Sequence, residues 1–204
     1  MTKKIALAVL MVSSLAMPGF AEFNLDGMTF KETVNQAAEV SALAAAAAKA
    51  IAPPSAITGL HGKAPLGHLL FCLQNHDSID CKPQLDLPIG PYADLKSVKS
   101  QVDRSFGKRL DQSEKWELLS NTHAAGDCED FAMTYRHRLL LAGWPSSALR
   151  IAVGKKLGQG HAILAAHAEE GWFVLDVLEH KPILLEKYSF EWESVQSEKN
   201  PEHW

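Results

Sequence analysis

Three residues far apart in the chain have the types needed for acyl chemistry. They are Cys128 in "GDCEDFAM" (Gly126 to Met133), His161 after "GQG", and Asp176 at the end of "WFVLD". A thiol attacks as its thiolate, and an imidazole steadied by a carboxylate makes that thiolate available. In this reading Cys128 attacks a carbonyl, His161 takes and returns the proton, and Asp176 holds the ring. The acidic flank opposes it, because Asp127, Glu129 and Asp130 crowd the cysteine in sequence and negative charge raises a thiol pKa. A helix beginning at Cys128 answers part of that objection. Its unpaired first-turn N–H groups favour a thiolate and offer an oxyanion donor. Glu129 and Asp130 would project about 100° and 200° away from the sulfur around the helix axis. The competing reading is a buried structural thiol on an apolar helix face.

Such a convergence requires particular elements. "DCEDFAMTYRHRLLLAG" reads as a helix with Cys128, Phe131, Ala132, Tyr135, Leu139 and Ala142 on one face. Asp127 is its expected N-cap and Asp130 the reciprocal partner, with Gly143 and Pro145 as the stop. An earlier helix is expected in "PYADLKSVKSQVDRSFG", where Leu95, Val98, Val102 and Phe106 form a stripe ahead of Gly107. A short helix is expected around Trp116 to Leu119. Beyond the cysteine helix the period shortens. "ALRIAVGKK", "HAILAAHAE", "GWFVLDVLE" and "KPILLEKY" read as an antiparallel meander joined by a glycine-containing turn and a tight "EEG" hairpin. Helices first and strands second predict an α+β fold. In it, His161 and Asp176 come to the same edge.

The chain has 204 residues and is 47% hydrophobic, enough for a real core. Its net charge of −4 and the absence of a long basic run exclude a nucleic-acid partner. "MTKK", an apolar run and "PGFA" read as a signal peptide over residues 1–21, with an uncleaved membrane anchor as the alternative. Residues 22–65 form an alanine-rich, helix-prone segment and linker, and residues 66–204 the packed domain. Export places the protein in the periplasm or outside the cell. There Cys72 and Cys81 in "FCLQNHDSIDC" are expected to pair as a disulfide, the alternative being two buried free thiols. A zinc site lacks the four ligands it needs. Cys128 is then the odd cysteine.

"GDCEDFAMTYRHRLLLAGWP", "GQGHAIL" and "GWFVLDVL" together resemble the bacterial transglutaminase-like cysteine peptidases, over about Leu66 to Tyr188. The resemblance implies a transglutaminase/papain-like fold with the catalytic cysteine at a helix N-terminus. The family order of Cys, His and Asp falls on Cys128, His161 and Asp176. The LapG-type periplasmic proteases of this family imply calcium held by the carboxylates on either side of the cysteine, here Asp127 and Glu129. Calcium would not be required for the bond-breaking itself. They also imply a protein or peptide substrate at the cell surface or envelope, and a membrane-protein regulator. Two other functions stay open. One is acyl transfer to an amine by the same three residues, and the other is a catalytically idle binding scaffold.

Overall fold

The computed structural model describes residue 57 and residues 62–84, 87–109 and 115–204. The signal-peptide reading (1–21) and the alanine-rich segment up to residue 56 lie outside the described residues. Among the described residues, three α-helices precede the main sheet: α1 (Leu66–Gln74), α2 (Tyr92–Ser105) and α3 (Cys128–Leu141). In α2 the expected stripe is present, with Leu95 and Val102 fully buried and Val98 and Phe106 half-buried.

Helix α3 departs from a one-faced amphipathic helix. Met133, Thr134, Arg136 and Leu140 are buried along with Phe131, Ala132, Tyr135 and Leu139, while Ala142 is exposed. The reason is its position. The sheet covers one side, and α2 and the short 3-10 turn Ile79–Cys81 cover others. Burying a side chain the size of Phe131 contributes roughly 2 kcal/mol. The helix stops at Gly143, whose φ of 90° is costly for any residue with a Cβ.

Residues 115–120, expected to include a short helix, are extended and irregular. Their backbone donors are taken by α3: Glu117 N–H donates to Asp130 Oδ1 (2.8 Å) and Leu119 N–H to Thr134 Oγ1 (2.9 Å). The same contact changes the expected capping box. Asp127 is the N-cap residue of α3 but makes no side-chain cap bond, and Asp130 is turned to the incoming loop. A Cβ on Gly126 would lie 2.2 Å from Asp130 Oδ2, so only glycine admits this approach.

Two short parallel strands, β1 (Gly107–Lys108) and β2 (Ala125–Gly126), fix the chain just before the cysteine. The main sheet is antiparallel and contains β3 (Leu149–Lys156), β4 (Gln159–Ala168), β5 (Gly171–Leu175), β6 (Ile183–Leu184) and β7 (Glu191–Val195). Its order is β6-β5-β4-β3-β7. The four expected runs form the meander, and β7 returns to pair with β3 on the far edge. The β3–β4 turn is two residues, Leu157 and Gly158, both at positive φ (53° and 78°), the backbone of a type I′ hairpin. One sheet face packs on the helices through Leu149, Ile151, Leu164 and Leu175. The other is covered by Ile57, Leu185, Tyr188, Phe190 and Trp192. Cys72 and Cys81 are joined by a disulfide that ties α1 to the Ile79–Cys81 turn.

Candidate active site

Cys128 is the first residue of α3 and the free cysteine among the described residues, half-buried. Its thiol donates to Glu129 Oε2 at 3.1 Å. Burial first, then the charges of Glu129 and Asp127, push this thiol up to about 12, while the backbone N–H of Ala162 pulls the other way. The sulfur therefore meets the residue that follows His161 on β4. Of the first-turn carboxylates, Glu129 is not turned clear of it, contrary to the expectation from helical spacing, because its side chain folds back to accept a hydrogen bond from the thiol, whereas Asp130 points to the 115–120 segment.

His161 stands on β4 opposite Gly154 of β3. Register in β4–β5 pairs Leu164 with Leu175, so Asp176, one residue past β5, falls beside Ile163 on the face that His161 shares. His161 Nε2 and Asp176 Oδ1 are 2.7 Å apart. With an ionised carboxylate as acceptor, Nε2 carries the proton and Nδ1 of the neutral ring is left as an acceptor. Phe190 packs edge-on against the ring, with centroids 6.5 Å apart.

Asp176 is buried and satisfied on both oxygens. Oδ1 also accepts from Leu178 N–H (2.9 Å), and Oδ2 accepts from Lys156 Nζ and Tyr188 OH, each at 2.7 Å. Burial alone would raise this carboxyl. The hydrogen bonds from His161, Leu178, Lys156 and Tyr188 outweigh it and hold the group well below the ordinary carboxylate range. Lys156 reaches Glu179 Oε1 as well (2.6 Å). Sequence reasoning missed Lys156, Tyr188 and Glu179. A signal for Lys156 exists in "KKLGQG": a two-residue turn pairs Lys156 with Gln159 and puts it on the same face as His161, one step along.

Two cavities meet at Cys128, Gly160 and His161. One, of about 530 Å³, is lined by Lys63, Pro65, Trp116, Glu129, Val153 and Glu193 among others. The second, of about 360 Å³, runs past Lys108, Arg109, Asp127, Gln159, Val177 and Leu178. Cys128 and His161 thus border both cavities.

Ligand atoms of Asp127, Cys128 and Glu129 all lie within 4.8 Å of one another. Two carboxylates this close suit a hard cation, which takes oxygen ligands, and the thiol does not belong to such a set. The donor chemistry thus fits calcium through Asp127 and Glu129, with further oxygens needed to complete its shell. Elsewhere, His123 bonds Asp130 (3.3 Å) and His137 bonds Asp80 (2.6 Å), both away from the two cavities that meet at the cysteine.

The sequence profile of the bacterial transglutaminase-like cysteine proteinases (BTLCP) matches residues 58–204. No curated protein matches the chain. Among solved structures it is similar to Legionella pneumophila LapG. The calcium-bound form shares 27% identity over 49% of this chain and 61% of that one, with a TM-score of 0.45. The EGTA-treated form shares 27% over 49% and 60%, with a TM-score of 0.44. The chain thus spans about three fifths of the length of these structures.

Proposed function

The chain belongs to the bacterial transglutaminase-like cysteine proteinases, and from that premise we propose that it is a peptidase working through Cys128, His161 and Asp176. The observation that carries this reading is the His161–Asp176 bond at 2.7 Å beside a helix-tip thiol that lines the same cavities. His161 Nδ1 takes the proton from Cys128 Sγ. The thiolate adds to the substrate carbonyl, and the oxyanion is met by unpaired N–H groups of the first turn of α3. The imidazolium then protonates the leaving amine, giving a thioester. His161 next takes a proton from water, and the resulting hydroxide releases the acid and restores the thiol.

Asp127 and Glu129 are the residues that would hold calcium. Bound there, the ion would supply positive charge against the carboxylates that otherwise keep the thiol protonated. The proposed substrate is a surface or envelope protein whose chain lies across the two cavities, and the proposed regulator is a membrane protein. Export to the periplasm or beyond is supported by the Cys72–Cys81 disulfide. Among the described residues no helix is long and apolar enough to cross a membrane.

A cysteine-directed electrophile with a peptide handle tests the chemistry. It should label Cys128 at neutral pH, and His161→Ala should abolish the labelling. Equal labelling of the wild type and His161→Ala would remove the mechanism. Adding a labelled amine to a turnover assay separates hydrolysis from acyl transfer. Chelation of calcium should lower both the labelling rate and the melting temperature, and no change in either would remove the metal.

A further inference from the structure

The carboxylate of Asp176 has two oxygens with different duties. Oδ1 meets His161 Nε2, and Oδ2 is gripped by Lys156 Nζ and Tyr188 OH at 2.7 Å each. The three groups come from three segments. Lys156 ends β3 at the hairpin, Asp176 follows β5, and Tyr188 follows the 3-10 turn Leu185–Lys187. They are cross-linked to one another as well. Lys156 Nζ lies 3.2 Å from Tyr188 OH and over its ring, 4.4 Å from the centroid, and also holds Glu179. Lys156 is only 14% exposed, and Tyr188 is buried. A lysine drawn this far from water beside two carboxylates is not an ordinary surface ion pair.

We propose that Lys156 and Tyr188 are positioning residues of the catalytic site, which fix the plane of the Asp176 carboxylate and thereby the tautomer of His161. The inference rests on the triad reading above. A carboxylate free to rotate about its Cβ–Cγ bond presents either oxygen to the ring, or to neither ring nitrogen. With Oδ2 occupied by an ammonium and a phenol, Oδ1 is left to accept from Nε2–H. That choice leaves Nδ1 bare to receive the thiol proton, and the opposite tautomer would place a hydrogen where a lone pair is needed. Glu179 takes the remaining reach of Lys156 and keeps the ammonium from pairing with Asp176 alone. Neither Lys156 nor Tyr188 lines the two cavities that meet at the sulfur, so each acts through Asp176 and not on substrate.

The experiment uses the full chain with calcium present throughout. Nitrogen-15 shifts of the His161 ring report its tautomer, and alkylation of Cys128 by iodoacetamide reports the readiness of the thiol. The variants are Tyr188→Phe, which removes one oxygen, Lys156→Met, which keeps length without charge, and Lys156→Arg as the conservative rescue. The wild type should show an Nε2-protonated ring. Tyr188→Phe combined with Lys156→Met should show a mixture of tautomers and alkylation slowed about tenfold or more. Lys156→Arg should restore most of the rate. An unchanged ring spectrum with alkylation within about twofold of wild type in the folded double variant would overturn the inference. Should the double variant not fold, Tyr188→Phe alone decides by the same two readings. His161→Ala separates the two levels. If it leaves alkylation unchanged, the triad itself is wrong. If it slows alkylation and the Lys156 and Tyr188 variants do not, only the clamp falls.

Discussion

Among the described residues, two histidine–aspartate pairs with buried carboxylates are closer than 3 Å, and their surroundings differ. His161–Asp176 (2.7 Å) sits near the hairpin end of β4, beside a thiol and two cavities. His137–Asp80 (2.6 Å) lies on the other flank of α3, next to the disulfide. Asp80 also faces Arg136, whose Nη1 donates to its backbone oxygen at 2.9 Å and lies 3.4 Å from its carboxylate. Burial lowers the Arg136 guanidinium to about 10, and Asp80 opposes that fall. Both carboxylates thus hold a cation, Arg136 at Asp80 and Lys156 at Asp176, but only the first pair also borders the proposed nucleophile. A short imidazole–carboxylate bond is not a signature of catalysis, and its neighbours decide what it does.

Mutation breaks the comparison first at the side proposed to be catalytic. Cys128→Ala and His161→Ala should each reduce peptide turnover by about 10⁴-fold or more without lowering the melting temperature appreciably. Near-normal turnover by either would sink the assignment. Asp80→Ala should act on the other side. It strands Arg136 in the interior, and loss of one partner of a buried pair costs about 3–5 kcal/mol, measured by urea unfolding. A loss under about 1 kcal/mol would mean that the arginine finds another partner.

Acid sharpens the contrast. Asp176 is held below its ordinary pKa of 3.8, so its contribution to stability is intact above that value and is lost only as the pH falls further. His68 behaves differently. It is fully buried and accepts from Trp204 Nε1 at 3.3 Å, and burial lowers it from 6.5 to about 4. The unfolded chain then binds the proton first. The stability due to His68 is complete above about pH 6.5 and is lost as the pH falls towards about 4, by on the order of 3 kcal/mol. His68→Gln should flatten stability between pH 6.5 and 4, and an unaltered slope would exclude the histidine as its source. The smallest effect is expected at His137. His137→Ala removes a quarter-exposed partner of Asp80 and should cost about 1 kcal/mol with turnover within about twofold of wild type.

The helix bearing Cys128, the run of strands and the coming together of His161 and Asp176 were legible because periodicity and turn residues carry that information locally. The shape of the 115–120 segment was not. Its backbone donors are satisfied by Asp130 and Thr134, side chains on a helix that comes later in the chain. Strand β7 was hidden for a related reason, since it pairs with β3 across more than thirty residues. Asp130 was misread as a capping partner because local spacing shows nothing of the loop that claims it. Lys156 is intermediate. Register alone places it beside His161, but its bond to the carboxylate depends on Tyr188 and Glu179 arriving from elsewhere.

The Cys72–Cys81 bridge bears on the order of maturation. It anchors the turn that carries Asp80, and Asp80 is the counter-charge for an arginine in the middle of the helix whose tip is the proposed nucleophile. A newly made chain with both sulfurs still reduced holds that turn less firmly, so the helix has a weaker claim on its buried cation. Joining those two sulfurs thus firms the seat of the helix at whose tip the third cysteine stands.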